Sequence, residues 1–136
     1  MADYIGSART NAVKVADKEG LNAFLSDWPI EPYKNNCVKT SFYSYADSGG
    51  WPSHGYDEND NEIEFSFEEL MEYIEPGEVL VVMETGAEKL RYLVGYATAY
   101  VKTPTGEVKS CSVSIDDIYK KAETEFDVDI KKIDIF

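Results

Sequence analysis

The chain has 136 residues, of which 43% are hydrophobic and 13% aromatic, and this suits one folded domain rather than a disordered chain. No run of about 18 apolar residues occurs, and the N-terminus lacks an apolar segment, so neither a membrane span nor a secretory signal is predicted. The two cysteines, Cys37 and Cys111, lack CxxC spacing and are expected to be reduced, buried thiols in a cytoplasmic protein.

The formal net charge of −13 is concentrated in one part of the chain. Residues 1–39 hold five acidic and five basic residues, and residues 89–136 hold eight of each, whereas residues 40–88 hold thirteen acidic residues and no Lys or Arg. A field of this sign repels nucleic acids and anionic membranes and attracts basic proteins or cations. Direct binding to nucleic acid or to a membrane is therefore not expected, because phosphate contacts need Lys and Arg.

In chain order, the first elements are a short strand and a helix. Alternating residues predict the strand at 11–15. Asp17 can cap a helix that runs to about Trp28, because apolar residues recur there at helical spacing. Pro29 and Pro32 then predict an irregular stretch.

The middle of the chain predicts a strand, a hairpin and a second helix. β-Branched and aromatic residues predict the strand at 38–46, and after a turn-forming loop at 48–56 the residues 62–65 are expected to fold back as a hairpin. Ser66 and Glu69 have the spacing of a capping box, so a helix should begin here and end at the following Pro-Gly pair. Its core-facing stripe should comprise Phe67, Leu70, Met71 and Ile74.

The remaining residues predict a meander of three strands and a final helix. Residues 79–83 are apolar at every position, which predicts a central strand covered on both faces. Strands at 89–102 and 107–113 follow, joined by a TPTG turn. Ser114 and Asp117 can cap a helix whose inward side should comprise Ile115, Ile118, Tyr119 and Ala122.

These elements predict a single α+β domain over residues 1–136, with an antiparallel sheet of about four to six strands, a meander in 79–113, and two to three helices packed on one face. The strand at 89–102 has two different faces. One would let a helix approach closely and carries Leu93, Gly95, Ala97, Ala99 and Val101. The other is either buried under N-terminal segments or open to a partner or planar ligand, and its candidate ligand residues are Tyr92, Tyr96 and Tyr100.

No catalytic signature accompanies the single histidine, His54. The chain has no GxSxG elbow, phosphate-binding P-loop, dinucleotide fingerprint or HExxH motif. His54 lies in a turn-forming segment, where an exposed loop histidine is the expectation. The chain is therefore expected not to be an enzyme and to need no cofactor.

A calcium site is an alternative for residues 57–68, which partly match an EF-hand loop. The loop needs Gly for its sharp turn where this chain has Glu62, and a segment rich in Gly and Pro replaces the first helix. A polar hairpin turn is therefore the better interpretation, and no metal site is expected. The residues at ligand positions of the alternative are Asp57, Asn59, Asn61 and Glu68.

The acidic segment itself has two interpretations. It is either the solvated side of an ordinary acidic domain or a surface that a basic partner neutralises, since self-repulsion within a fold is unfavourable. In the second case its carboxylates would replace a phosphate backbone in a basic groove, with Trp51 and Tyr56 as aromatic anchors. The acidic candidates are Asp57, Glu58, Asp60, Glu62, Glu64, Glu68, Glu69 and Glu72.

Four blocks spread over the chain resemble a family of small acidic proteins of phages, plasmids and other mobile elements: SARTN, GGWPSHGYDEN, AEKLRYLVGYATA and VSIDDIY. Proteins from that setting often resemble anti-restriction or anti-CRISPR inhibitors, which block host defence proteins at their nucleic-acid sites or interfaces. The resemblance implies a non-enzymatic inhibitor that acts in the host cytoplasm on a basic nucleic-acid-binding or nuclease complex. A small-molecule or calcium-binding module, and an antitoxin or immunity protein that neutralises a basic toxin, are the alternatives.

Overall fold

The structure is a computed structural model that describes residues 4–34, 39–88 and 92–129. These residues form nine strands, three α-helices and one 3₁₀ turn at Met71–Tyr73. The strands are β1 (Tyr4–Thr10), β2 (Val13–Lys14), β3 (Ile30–Lys34), β4 (Lys39–Ser44), β5 (His54–Tyr56), β6 (Glu62–Glu64), β7 (Val79–Glu88), β8 (Tyr92–Lys102) and β9 (Val108–Ser114). The helices are α1 (Lys18–Leu25), α2 (Phe67–Leu70) and α3 (Asp117–Phe126).

Seven strands form one antiparallel sheet in the order β2-β4-β1-β7-β8-β9, with β3 beside β4. The α+β fold and the meander β7-β8-β9 are thus confirmed, and β5 and β6 form the separate hairpin that the sequence predicts. The sheet is larger than expected because β1, which the sequence pattern does not reveal, lies between β4 and β7. Its apolar alternation is interrupted by Gly6 and Ser7.

The irregular stretch expected after Pro29 is instead the strand β3, in which Pro32 lies opposite Phe42. β3 pairs only with β4, so it is an edge strand. An edge strand tolerates proline, because the missing N–H can lie on the side without a partner strand. The presence of two prolines therefore did not exclude a strand here.

The helices α1 and α2 cover one face of the sheet and enclose the core. Asp17 caps α1 by accepting a hydrogen bond of 3.0 Å from the N–H of Gly20, and Ser66 caps α2 through the N–H of Glu68. The predicted stripe of α2 is confirmed, since its four residues are at most 8% exposed, although the helix gives way to the 3₁₀ turn after one turn. The core comprises Val13, Leu21, Leu25, Trp28, Ile30, Phe42, Phe67, Leu70, Met71, Ile74, Leu80 and Val82.

Three predictions about burial are wrong. Cys111, expected to be a buried thiol, is exposed on β9, and Cys37 lies outside the described residues. The strand β7 is central but is covered on one face only: Leu80 and Val82 are buried, whereas Val79 is 46% exposed. In α3 no residue is buried, and Ile115 and Ile118 are about half exposed or more. The inward stripe expected for α3 is not buried, although its members Tyr119 and Ala122 are partly covered.

A buried carboxylate joins three strands and a loop. The Glu84 side chain on β7 accepts hydrogen bonds from the Tyr4 hydroxyl (2.7 Å), the Trp51 backbone N–H (2.8 Å) and the Tyr96 hydroxyl (3.2 Å). Burying a charge is costly unless it is hydrogen-bonded, and these three donors meet that requirement. Burial and then the bond to Glu84 raise the pKa of Tyr4, and burial together with the Glu84 charge raises the pKa of Tyr96 to about 12.

The loop that precedes β5 reaches this carboxylate through two glycines. Gly50 lies so close to Glu84 that an added Cβ would stand 3.2 Å from both carboxylate oxygens. Gly49 has a positive φ of 82°, and a Cβ there would overlap the backbone of Gly6 on β1. The loop therefore follows the end of the sheet closely enough for Trp51 to donate its N–H to Glu84.

We expect Glu84→Leu to lower the free energy of unfolding by about 3 kcal/mol, because two hydroxyls and one N–H lose their acceptor. The exposed residue Glu58 provides the control, and Glu58→Leu should change the same quantity by less than about 0.5 kcal/mol. Urea denaturation followed by circular dichroism measures both. Equal stabilities of the two variants would show that Glu84 does not hold the sheet and loop together.

The raised pKa of Tyr96 makes stability depend on pH in the alkaline range. A raised pKa means that the folded state keeps the proton more tightly than the unfolded state, so the stabilisation is complete below pH 10. It should be lost as the pH rises from 10 through about 12. Urea denaturation across this range should show that the free energy of unfolding declines less for Tyr96→Phe than for the wild type. The control Tyr45→Phe alters an exposed tyrosine, and its free energy of unfolding should decline as much as that of the wild type.

Candidate acidic interface

The hairpin of β5 and β6 presents one polar side and one apolar side. The register places His54 opposite Glu64 and Tyr56 opposite Glu62, so these four exposed side chains share the outward side. Ile63 points the other way and packs against the core. The hairpin is therefore fixed to the body of the protein by its inner side, and its outer side carries alternating carboxylates.

The turn of the hairpin is built around Asp57. Its carboxylate accepts hydrogen bonds from the backbone N–H groups of Asn59 and Asn61, both at 2.9 Å, and from the Asn61 side-chain amide at 3.3 Å. The bond from the Asn61 backbone is the main reason that the pKa of Asp57 is lowered. Asp60 takes the left-handed conformation with φ of 61°, which Asp tolerates in turns. Glu58 and Asp60 project into solvent.

This geometry matches a polar turn rather than a calcium loop. The Asp57 carboxylate closes the turn, and Asn59 and Asn61 serve it as donors. Glu68 belongs to α2, where its N–H is bound by the Ser66 hydroxyl. Within residues 4–34, 39–88 and 92–129, no three His, Cys, Asp or Glu side chains are grouped so that they could hold a metal ion.

The helix α2 continues the acidic side of the hairpin. Glu68 is four positions after Glu64, so their Cα atoms lie at most about 14 Å apart. Glu68, Glu69 and Glu72 are exposed, opposite the buried side of the helix. We call the seven exposed carboxylates of the hairpin and helix the acidic surface: Glu58, Asp60, Glu62, Glu64, Glu68, Glu69 and Glu72.

The acidic surface has no cationic partner among the described residues. The described residues form a salt bridge between Lys121 and Glu125, but this pair is on α3. Lys102 approaches the end of the 3₁₀ turn, but its ammonium group donates to the backbone carbonyl of Glu72 at 3.1 Å rather than to a carboxylate. The negative charge that the sequence concentrates in residues 40–88 is thus left exposed on the hairpin and α2.

Of the two aromatic candidates, Tyr56 is available to a partner and Trp51 is engaged in the fold. The Trp51 indole N–H donates to the carbonyl of Met83 at 3.1 Å, and its ring packs edge-on against Phe67 with centroids 4.9 Å apart. The ring of Tyr56 is 65% exposed and lies beside Glu62. His54, which the sequence did not place in this group, joins it through its register with Glu64.

The tyrosine-bearing face of β8 is turned toward the core layer. The Tyr100 ring lies 5.9 Å from that of Phe67, and the Tyr96 hydroxyl is bonded to Glu84. Burial and the charge of Glu68 raise the pKa of Tyr100. These contacts favour the packed interpretation over an open ligand face, while the side chain of Tyr92 lies outside the described residues.

Comparison with protein-family models, with curated proteins and with solved structures finds no match for this chain. Among the helices of the described ranges, none is long and apolar enough to cross a membrane. Function therefore has to be inferred from the chemistry of the surface itself.

The different roles of the two aromatic residues can be tested by stability. We expect Trp51→Ala to lower the free energy of unfolding by about 3 kcal/mol, because it removes a packed ring and an indole hydrogen bond. Tyr56→Ala should change it by less than about 0.5 kcal/mol, since the ring is mostly solvated. Thermal and urea denaturation of both variants measure this difference, and a large loss in Tyr56→Ala would contradict its assignment to the exposed surface.

Proposed function

We propose that this protein is a non-enzymatic binding protein that inhibits a basic, nucleic-acid-handling partner by occupying the partner's nucleic-acid site. The observation that supports this most strongly is the acidic surface: seven exposed carboxylates on the hairpin, α2 and the 3₁₀ turn, none of which forms a salt bridge with a described Lys or Arg. A host defence nuclease complex is the partner class that we propose, in the manner of an anti-CRISPR or anti-restriction inhibitor.

The spacing of the carboxylates suits a surface that replaces phosphates. Alternate residues of a strand, such as Glu62 and Glu64, stand about 6.6 Å apart, which is close to the axial rise of two base pairs. Two such charges repel each other by about 0.6 kcal/mol in bulk water, and more where the dielectric constant is lower. A basic groove would relieve this repulsion at every carboxylate and release the counterions that both surfaces hold.

The acidic surface is held rigidly before any partner arrives. Asp57 fixes the hairpin turn, Ser66 caps α2, and Phe65 between them packs edge-on against the rings of Trp28 and Phe67. A binding surface that is already ordered loses little conformational entropy on association. Tyr56 adds an amphipathic ring within the acidic surface, the residue type that often contributes most to interface energy.

Charge reversal tests this function directly. We expect Glu68→Lys/Glu69→Lys/Glu72→Lys to weaken capture of the partner at least about tenfold, because three attractive contacts become repulsive. The matched control reverses three exposed acids elsewhere, Glu19, Glu31 and Glu107, and so changes the net charge equally. Circular dichroism should show that both triple variants stay folded.

The measurement is affinity capture from nuclease-treated host lysate at low and high salt, with identification by mass spectrometry. A basic nucleic-acid-binding protein should be retained at low salt by the wild type and the control, but not by the α2 variant. Equal capture by both triple variants would rule out the acidic surface as the binding site. Retention of a small basic toxin would instead support the antitoxin alternative.

A further inference from the structure

The face of the sheet turned away from α1 and α2 is apolar and largely uncovered over β7, β8 and β9. We call it the outer sheet face. The strand registers place residues of all three strands on it, with Val79, Leu93 and Val113 between 46% and 59% exposed. Between these lie Ala97 and Ala99, whose small side chains leave a shallow channel along β8. Exposed apolar patches rimmed by polar residues often mark protein–protein contacts.

The same chain carries a helix, α3, whose large apolar side chains are exposed among the described residues. In α3 no side chain is buried, and Ile118 and Phe126 are 58% and 71% exposed. The apolar side of α3 is continuous with the outer sheet face through Ile115, whose Cγ2 lies 2.9 Å from the position that a Cβ on Gly95 would occupy. Among the described residues, the outer sheet face thus keeps exposed apolar side chains, and α3 buries none of its own.

The dimensions of the two surfaces agree. A helix of 10 residues is about 15 Å long, and three neighbouring strands span about 14 Å across a sheet. An α3 helix laid across the outer sheet face would thus reach from β7 to β9. The alanines of β8 would lie beneath its middle, where a helix needs small residues to approach closely.

The charges also agree. On the outer sheet face the described strands present Arg9 and Lys109, with Lys14 and Lys39 toward the far edge and Glu31 as the acid. The segment of α3 and its flanking residues is acidic on balance, with Lys120 and Lys121 against five acids: Asp116, Asp117, Glu123, Glu125 and Asp127. The acidic surface lies on the opposite side of the sheet, so two copies could meet through their outer faces without bringing their acidic surfaces together.

We propose that this protein is a homodimer in which α3 of each copy packs on the outer sheet face of the other. The contact is two-fold symmetric, so both surfaces are used twice and no surface is left to continue a filament. The acidic surfaces of the two copies then point away from each other. The proposal stands apart from the proposed function, because oligomeric state can be measured without any partner.

The exposed apolar area is about three-quarters of the apolar area that a standard interface buries on each partner. A fully buried side chain of this size removes on the order of 100 Å² of apolar surface from water. At exposures of 46–71%, the six large residues of the two surfaces present roughly 350 Å² per copy: Val79, Leu93, Val113, Ile115, Ile118 and Phe126. A standard interface buries about 800 Å² on each partner, of which roughly 450 Å² is apolar.

Sedimentation and light scattering of the full chain between 1 and 100 µM test the dimer. We expect the wild type to have the mass of a dimer. The sheet variant Val79→Glu/Val113→Glu and the helix variant Ile118→Glu/Phe126→Glu should each have the mass of a monomer, with the Kd of the dimer raised at least about 100-fold. The control Tyr45→Glu/Tyr56→Glu alters two equally exposed apolar residues elsewhere and should stay dimeric. A monomeric wild type at 100 µM overturns the proposal, as does a dimer that survives in both variants.

Mixing the two monomeric variants tests the reciprocal arrangement. In a mixed dimer, the intact helix of the sheet variant meets the intact sheet of the helix variant, so one of the two contacts is restored. We expect the mixture to form a heterodimer that neither variant forms alone. Two variants that remain monomeric when mixed would overturn the packing of α3 on the partner's sheet.

Discussion

The buried carboxylate of Glu84 is the constraint on which the rest of the structure depends. Most of the acids in residues 40–88 lie in solvent, but Glu84 is taken into the fold, where three hydrogen bonds from β1, β8 and the loop before β5 satisfy it. Because one of these donors is the backbone of Trp51, the carboxylate anchors the segment that leads into the hairpin. The Trp51 ring then packs on Phe67 and so fixes the start of α2. Together with the core packing of Ile63 and Phe65, this internal charge helps to fix the position of the acidic surface.

The sheet separates two surfaces of opposite character. Its covered face supports the hairpin and α2, which carry the acidic surface. Its outer face is apolar with a few basic residues, and the acidic helix α3 buries none of its side chains. A protein with a net charge of −13 can associate with itself only where like charges stay apart, and this division provides such a place. A dimer built through the outer sheet face would present two acidic surfaces in opposite directions, which favours binding to partners with repeated sites.

Local sequence patterns predicted the capped helices α1 and α2, the hairpin and the meander, because their signals are capping residues, turn residues and apolar periodicity within short windows. The cap expected at Ser114 is wrong, since α3 begins at Asp117 after Asp116 and has no side-chain cap hydrogen bond. The pattern did not reveal β1 or β3, whose strand character comes from their neighbours in the sheet: β1 is held between β4 and β7, and β3 is an edge strand that contains Pro32. Tertiary contacts also decided the roles of Trp51 and Glu84. In the sequence, Glu84 is one of the acids of residues 40–88 and Trp51 is a candidate aromatic anchor. Hydrogen bonds between residues more than thirty positions apart nevertheless hold both inside the fold.

Competition with nucleic acid for the partner is the property that most directly distinguishes a nucleic-acid mimic from a domain whose acidic surface is only solvated. Fluorescence anisotropy can follow a labelled nucleic acid bound to the captured partner while the wild-type protein is titrated in. We expect full displacement, an apparent Kd that rises in proportion to the nucleic-acid concentration, and an affinity that falls steeply as the salt concentration increases. A ternary complex in which the partner holds the nucleic acid and this protein together would contradict occupation of the nucleic-acid site.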